Sequence, residues 1–153
     1  EVPPADRAGT DVIPEADALY EEALALHRQG KGPIPLFLFT DYGKQRQALL
    51  KLRQLVRRHP SSTKIAPAAY YVAEIYKEYF DKDRRAGQWY QRAWQWDPNL
   101  PLPARFQAAV VWDLRLHNHG RAVPLYEAAI EHEQFNASNV AFAHRRLRQL
   151  LKR

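Results

Sequence analysis

Two segments of the chain, residues 67–94 and 103–130, are copies of one sequence offset by 36 positions. Aromatic residues replace one another at two aligned positions, Tyr70/Phe106 and Tyr76/Trp112. The identical pairs are Pro67/Pro103, Ala68/Ala104, Ala73/Ala109, Arg85/Arg121, Ala86/Ala122, Tyr90/Tyr126 and Ala93/Ala129. A fixed period of this length is typical of stacked helix pairs, each of which buries its apolar face against its neighbours. Such proteins usually present a surface to a partner, so the repeat predicts an architecture without naming the partner.

Apolar periodicity and helix-start signals predict seven helices and no strand, which makes the fold all-α. The helices are expected at about 14–30, 44–59, 64–79, 84–96, 103–116, 121–133 and 138–151. They form a single domain over residues 14–153, with helix pairs at about 14–60, 64–98 and 101–134. Residues 1–13 contain Pro3, Pro4 and Gly9 without an apolar period, and we predict a flexible tail there.

The last predicted helix differs from the others because its bases should face outward. The apolar positions that we expect it to bury are Val140, Ala143, Leu147, Leu150 and Leu151. A polar outer face is what the terminal unit of a stacked-repeat protein needs. The sequence therefore predicts that residues 138–151 form a capping helix.

The second helix of each copy carries the spacing Ala-x3-Tyr-x2-Ala, and each first helix has a small residue three positions before an aromatic one. The residues are Ala86, Tyr90 and Ala93, then Ala122, Tyr126 and Ala129, with Ala73 and Ala109 in the first helices. Small residues let two helices approach closely, and the large ring fills the space beside them. The pattern resembles the tetratricopeptide repeat. That resemblance implies an α-solenoid of about three helix-turn-helix units plus the capping helix, with residues 18–60 as a degenerate first unit.

Residues 58–62, Arg-His-Pro-Ser-Ser, lead into an alanine-rich helix. This junction is similar to a bacterial cell-envelope subgroup of the family, which includes outer-membrane assembly lipoproteins and periplasmic coordinator proteins. The similarity implies the periplasm or cell envelope, with the cytoplasm as the alternative. The chain begins at Glu1, so either a leader was removed or the sequence was trimmed. Its Pro-rich start favours a leader and a peripheral membrane tether upstream of residue 1.

In the tetratricopeptide family, one face of each first helix lines a concave groove that holds a protein or peptide partner. The resemblance therefore implies an interaction or scaffold role. The partner-binding residues that it implies are Tyr20, His27, Arg28, Tyr70, Glu74, Lys77, Phe106, Val110 and Asp113. In this interpretation Tyr20, Tyr70 and Phe106 form a solvent-accessible ladder of rings. The alternative is that these rings pack against one another or under the last helix.

Two further apolar features are candidates for contact with a partner. Trp94 and Trp96 stand where the family has core leucines and are predicted to pack, whereas Trp89 stands where the family is usually polar and is the candidate for an exposed contact. Residues 36–39, Leu-Phe-Leu-Phe in a Pro-bounded loop, either pack onto the first unit or form an exposed interface patch.

The positive charge is concentrated after residue 40. Residues 41–153 hold ten acids and twenty bases, and residues 44–58 and 145–153 contain bases but no acid. Such charge favours anionic partners, or it simply solvates outer helix faces. The rival function is therefore a nucleic-acid-binding helical repeat. Aromatic residues for base stacking are almost absent from both basic stretches, so we do not expect nucleic acid as the partner.

No pattern in the sequence supports an enzyme, a cofactor site or a metal site. The chain has no cysteine, and no triad supports a helical-repeat hydrolase. His117-Asn118-His119 is predicted to lie in a turn, and Glu131-His132-Glu133 at a solvated helix end without the second histidine of a helical zinc site. Gly30-Lys31-Gly32 precedes Pro33, which cannot donate the N–H of a phosphate loop. No apolar run approaches the roughly 20 residues of a membrane span, so no transmembrane segment is expected.

Overall fold

The computed structural model describes residues 9–32 and 39–152. Most of these residues are helical, as predicted, and their only strand-like feature is one isolated bridge between Asp11 and Ser62. The helices are α1 (Pro14–Gly30), α2 (Tyr42–Arg58), α3 (Ile65–Tyr79), α4 (Asp83–Trp96), α5 (Ala104–Val110), α6 (His119–His132) and α7 (Ala137–Leu150). A π-helical turn, Val111–Arg115, continues α5. The all-α prediction is therefore confirmed.

Each helix packs against the next one in the chain, most extensively within the pairs α1/α2 and α3/α4. Two hydrophobic clusters form the core. The larger one spans α1 to α5, and the smaller one lies among α5, α6 and α7. Within the part of the chain that the structure describes, no helix is both long enough and apolar enough to cross a membrane.

The alanines of the repeated pattern lie at buried helix crossings, as predicted. Ala86, Ala93, Ala122 and Ala129 are all buried. Gly87 shows how close the approach is, because a Cβ atom built there would lie 2.9 Å from Nε1 of Trp112. These positions tolerate little extra volume, since protein cores are close-packed.

The large rings of the repeated pattern also have equivalent surroundings in the two helix pairs. Tyr70 and Tyr90 meet edge to face, with ring centroids 5.6 Å apart and an interplanar angle of 62°. Phe106 and Tyr126, each 36 positions later, meet with centroids 6.1 Å apart at 63°. The internal sequence repeat is thus matched by a repeated aromatic contact between the two helices of a pair.

Polar caps set the beginnings of three helices. Asp41 accepts a hydrogen bond from the backbone N–H of Lys44, so α2 begins at Tyr42, two residues earlier than predicted. Asn118 and Asn136 cap α6 and α7 in the same way. A side-chain oxygen at this position satisfies a backbone donor that the helix leaves unpaired.

The fifth helix departs from its prediction. Instead of continuing regularly to residue 116, it changes to a π-helical turn after Val110, where the N–H of Leu116 bonds to the carbonyl of Val111 at 3.0 Å. His117 follows with a positive φ of 52° and ends the segment. Single π-turns of this kind occur frequently at functional sites.

Both ends of the chain differ in detail from expectation. Thr10 and Asp11 donate backbone hydrogen bonds to the carbonyl of Ser61, so the end of the predicted tail is paired with the turn before α3. Residues 1–8 lie outside the described part of the chain. In α7 only Ala143 is fully buried, and Leu151 is 53% exposed, so the prediction that Leu151 is buried is wrong. It lies just beyond Leu150, the last residue of α7.

Candidate functional site

The exposed and half-buried side chains of the first helices form a candidate contact surface, which we call the first-helix face. Most of its members fall at repeat-equivalent positions of α3, α5 with its π-turn, and α7. The face consists of Arg28, Tyr71, Glu74, Glu78, Gln107, Val110, Leu114 and Arg146. Positions 74, 110 and 146 are each 36 apart, as are 78 and 114. Side-chain contacts between successive first helices hold these positions in one row.

Lys77 connects α3 to α5 beneath this face. Its ammonium group is buried and lies 2.8 Å from Oε1 of Gln107, 3.5 Å from Glu74 and 3.3 Å from Glu78. Glu74 also accepts a hydrogen bond from the Tyr90 hydroxyl. A buried charge is costly unless it is paired and hydrogen-bonded, and Lys77 meets both conditions. The resemblance implied partner contacts by Lys77, but its ammonium group is occupied within the fold.

Asp113, at the position equivalent to Lys77, connects the π-turn to α7. Its carboxylate lies 2.6 Å from Nε and 2.9 Å from Nη2 of Arg146, and it accepts a 2.8 Å hydrogen bond from the Tyr126 hydroxyl. Burial by itself raises the pKa of Asp113, but the hydrogen bonds from Arg146 and Tyr126 outweigh it and leave the pKa below its usual value. Asp113 is therefore an internal anchor and not an exposed partner contact.

Arg115 ties the π-turn back to the preceding helix pair. Its Nη1 donates to the backbone carbonyl of Lys77 at 2.8 Å and to Oδ1 of Asp83 at 2.9 Å. The π-turn thus directs Asp113 towards α7 and Arg115 towards α3 and α4. This arrangement leaves Leu114, the residue between them, 47% exposed on the first-helix face.

His27 has a similar internal role in the first pair. Its Nδ1 donates to Oε1 of Gln45 at 2.7 Å, while Nε2 of Gln45 donates to the His27 carbonyl at 2.9 Å. The imidazole also meets Tyr71 and Tyr79 edge to face. Burial lowers the pKa of His27, outweighing the opposing effect of the Gln45 hydrogen bond. His27 is buried, so the implied partner contact by its side chain is not available on the surface.

The expected ladder of accessible rings is wrong for two of its three members. Tyr70 and Phe106 are each only 7% exposed. Tyr70 packs against Tyr71, and Phe106 packs under the last helix against Phe142, with centroids 5.2 and 5.7 Å apart respectively. Tyr20 is half-buried beside Tyr71. The alternative in which the rings pack together and under α7 is the one observed, and burial raises the pKa of the Tyr70 hydroxyl.

The tryptophan predictions are partly right. Trp96 is buried and Trp94 is half-buried against the core, as predicted. Trp89 is 7% exposed, so its prediction as an exposed contact is wrong. It packs against Trp96, and the guanidinium of Arg92 covers its ring at 4.5 Å. Of the loop 36–39, Phe39 is exposed and residues 36–38 lie outside the described residues.

Glu133 is buried, whereas a solvated helix end was predicted at this position. Its two carboxylate oxygens accept hydrogen bonds from the backbone N–H groups of Arg105 and Phe106 at 2.8 and 3.0 Å. Burial raises the pKa of the carboxyl despite these hydrogen bonds. Glu133 therefore caps the beginning of α5 from the end of α6, a contact that depends on tertiary packing and not on sequence spacing.

Several members of the first-helix face were not identified from the sequence. Tyr71, Glu78, Gln107, Leu114 and Arg146 could have been found by extending the 36-residue alignment along each first helix and into α7. Phe142 supplies the signal, because it follows Tyr70 and Phe106 at the same interval. Glu74 and Val110, which were identified, are half-buried on this face.

The described residues contain no group of three or more histidine, aspartate or glutamate side chains arranged to hold a metal ion. His119 lies 3.5 Å from Asp113, but the Asp113 carboxylate is already bound by Arg146. No family model matches the sequence, and a search of curated proteins finds no relative.

Proposed function

We propose that the protein is a non-catalytic interaction module that binds a protein or peptide segment along the first-helix face. One observation carries this proposal: the repeat-equivalent positions 74/110 and 78/114 keep exposed or half-buried side chains on one face, and hydrogen bonds to the buried Lys77 and Asp113 fix the polar members of that face. Rigid support lowers the entropic cost of binding, because fewer groups must be ordered when a partner arrives.

The face has a definite chemical order. Arg28 lies on α1, Glu74 and Glu78 lie on α3, Val110 and Leu114 follow on α5 and the π-turn, and Arg146 lies on α7. A partner that crosses the helices should therefore place basic groups over α3 and an apolar side chain over Val110 and Leu114. Polar rims around an apolar centre are the usual anatomy of such interfaces.

The repeated aromatic contact, the buried alanines and the in-register Phe142 support assignment to tetratricopeptide-like solenoids. The same resemblance is the basis for proposing a scaffold role in the bacterial cell envelope. No cofactor is needed for this function. The hydrogen-bonded state of Lys77, Asp113 and His27 supports a structural rather than a catalytic use of these residues.

Site-specific photocrosslinking tests the proposal. A photoreactive amino acid replaces Leu114 in one variant and Leu50 in a matched control, since both leucines are exposed, at 47% and 60%, but Leu50 lies on a second helix. Irradiation in native extract should give a discrete protein adduct from position 114 and not from position 50. Equal adducts from both positions, or none from position 114, would contradict binding at this face.

A further inference from the structure

The last helix presents a basic face to solvent. Residues 137–152 contain several bases and no acid. Arg145 and Arg148 are exposed, and neither forms an ion pair with another residue that the structure describes. Leu151, which is 53% exposed, lines a depression together with these arginines. The face therefore combines an apolar side chain with positive charge.

The first helix presents a groove of the opposite charge. Residues 14–26 contain four acids and no base. Glu15 and Glu22 are exposed and line a groove of about 460 Å³ between α1 and α2, with Ala18 and Leu19 beside them. Arg58 lies on the side of the groove that α2 forms. Along α1, the groove therefore has apolar side chains bordered by carboxylates.

The two carboxylates are only partly neutralised within the chain. Among the described residues, Glu15 forms no ion pair. Glu22 pairs with Lys51 of α2 at 2.9 Å, but the side chains of both residues are exposed to solvent. Such surface pairs contribute little because solvent and salt screen them. Both carboxylates are therefore available to a second cation.

The basic face and the acidic groove lie on the first and last helices of the described chain. In the series of packed helices, α1 contacts α2 and α7 contacts α6. A contact between α7 of one copy and α1 of the next would use two different surfaces. Such a contact is heterologous and joins copies head to tail, in a closed ring or an open chain.

The spacing of the charges fits an antiparallel contact between the two helices. Seven positions separate Glu15 from Glu22, and seven also separate Arg145 from Lys152. Seven residues of helix rise about 10 Å, so an antiparallel arrangement can place Glu22 near Arg145 and Glu15 near Lys152. The same arrangement brings the N-terminus of α1 to the C-terminus of α7, where the opposite ends of two helix dipoles attract.

We infer that the groove between α1 and α2 binds α7 of a second copy, so that copies of this chain associate head to tail. Carboxylates meet bases at the rim, and Leu151 packs against Ala18 and Leu19 at the centre. A polar rim around an apolar centre is the usual anatomy of a protein interface. The charged contacts are exposed to solvent, so association is reversible and weakens as salt rises. The contact uses residues outside the first-helix face and does not depend on the proposed function.

Sedimentation velocity over a range of protein concentrations tests the inference. We expect the average mass of the parent protein to rise with concentration at low ionic strength. In about 1 M salt, where the Debye length is only about 3 Å, the mass should return to that of the monomer. A parent protein that stayed monomeric up to about 1 mM at low ionic strength would overturn the inference. If that monomer bound a polyglutamate peptide through Arg145 and Arg148, an acidic partner of another kind would replace the second copy.

Charge reversal at each end identifies the surfaces that meet. Glu15→Lys/Glu22→Lys makes both ends basic, and Arg145→Glu/Arg148→Glu makes both ends acidic. Each variant alone should associate at least about tenfold more weakly than the parent. An equimolar mixture should regain association, because α7 of the first variant fits the groove of the second and the two reversed surfaces fit each other.

Mixing also separates a lost contact from a damaged fold, since misfolded variants cannot restore association. If both variants lost association and the mixture did not regain it, the contact between α1 and α7 would be wrong. Association of either variant alone as tight as that of the parent would also contradict it.

Control variants carry the same changes in net charge at exposed positions elsewhere. Glu127→Lys/Glu131→Lys lies on α6, and Arg57→Glu/Lys82→Glu lies on α2 and directly before α4. We expect the controls to associate within about twofold of the parent, because screened charges outside the contact have little effect. An equal loss of association in the controls would show that net charge alone governs it, and would overturn the head-to-tail contact.

Discussion

The Tyr126 hydroxyl donates a 2.8 Å hydrogen bond to Oδ2 of Asp113, across the two helices of the third pair. Tyr90, 36 positions earlier, donates in the same way to Glu74 in the second pair. Asp113 aligns with Lys77 and not with Glu74, so the acceptor has moved by three positions, close to one helical turn. Both helix pairs keep the tyrosine. The acidic residue that accepts its hydrogen bond lies about one turn further along the first helix in the third pair than in the second.

The free energy of unfolding should depend on pH at low pH because of Asp113. Because its pKa lies below the usual value, folding favours the ionised carboxylate, and its contribution is complete above about pH 4 and lost as pH falls through the lower folded-state pKa. Asp113→Asn should cost about 1.5–3 kcal/mol of unfolding free energy at neutral pH and flatten the loss below pH 4. Urea unfolding at several pH values measures both effects.

The exposed Glu127 provides the control for this experiment. Glu127→Gln should leave the unfolding free energy at neutral pH within about 0.5 kcal/mol of that of the parent. If Asp113→Asn were as acid-sensitive as the parent protein, the pair formed by Asp113 and Arg146 would not be an important electrostatic contact.

Glu133 should be important for stability, in contrast to its neighbour Glu131. Glu133→Ala removes the cap of α5 and leaves the buried guanidinium of Arg105 without its carboxylate, which lies 3.5 Å away. We expect a loss of about 3–5 kcal/mol, as for breaking a buried pair. Glu131→Ala, at an exposed position of the same helix end, should stay within about 0.5 kcal/mol of the parent in the same unfolding measurement. Similar values for the two variants would argue against the cap.

Phe106 should act through folding and not through direct contact with a partner. Truncation to alanine removes a buried ring that packs against Tyr126 and Phe142, so we expect a cost of about 3–5 kcal/mol in thermal or urea unfolding. Leu114→Ala should change stability by only about 0.5 kcal/mol, because that side chain is substantially exposed. A Phe106→Ala variant that kept its stability would restore the accessible-ladder hypothesis.

His27 should titrate below an ordinary histidine. Its lowered pKa means that folding favours the neutral imidazole, so its contribution is complete above about pH 6.5 and falls as pH is lowered towards the folded-state pKa. Proton NMR should give a titration midpoint for His27 below the ordinary value for histidine. In unfolding experiments between about pH 6.5 and 5, His27→Gln should flatten the pH dependence. A midpoint at or above the ordinary value would contradict the buried contact with Gln45.

The helices were predictable because they follow from the local spacing of apolar residues. The buried alanines were predictable because they follow from the internal sequence repeat. The turn at Val111–Arg115 was not, because its geometry depends on Asp113 and Arg115 finding partners on other helices. Trp89 was misjudged for another reason. Its ring is covered by Trp96 and by the guanidinium of Arg92, both on α4 itself, and the family pattern does not record these contacts.

Charged site residues were the hardest to place. The family resemblance put Lys77 and Asp113 on a groove surface. Repeat spacing alone cannot distinguish a charged side chain exposed on that surface from one that is buried beneath it and paired with another residue. Their partners, Gln107 and Arg146, lie about 30 residues further along the chain, and only tertiary packing brings them together. Glu133 was predicted at a solvated helix end because the sequence does not show that its carboxylate accepts hydrogen bonds from the backbone of another helix.

Partner binding by the first-helix face is the central proposal, and the affinity of the partner identified by crosslinking tests it most directly. The variants are Leu114→Ala and Arg28→Ala, with Leu50→Ala as the control on a second helix. We expect each face variant to weaken partner binding about tenfold, the scale of a 1–2 kcal/mol contact, with melting temperatures unchanged. An unchanged dissociation constant for both face variants, or an equal loss in Leu50→Ala, would contradict it.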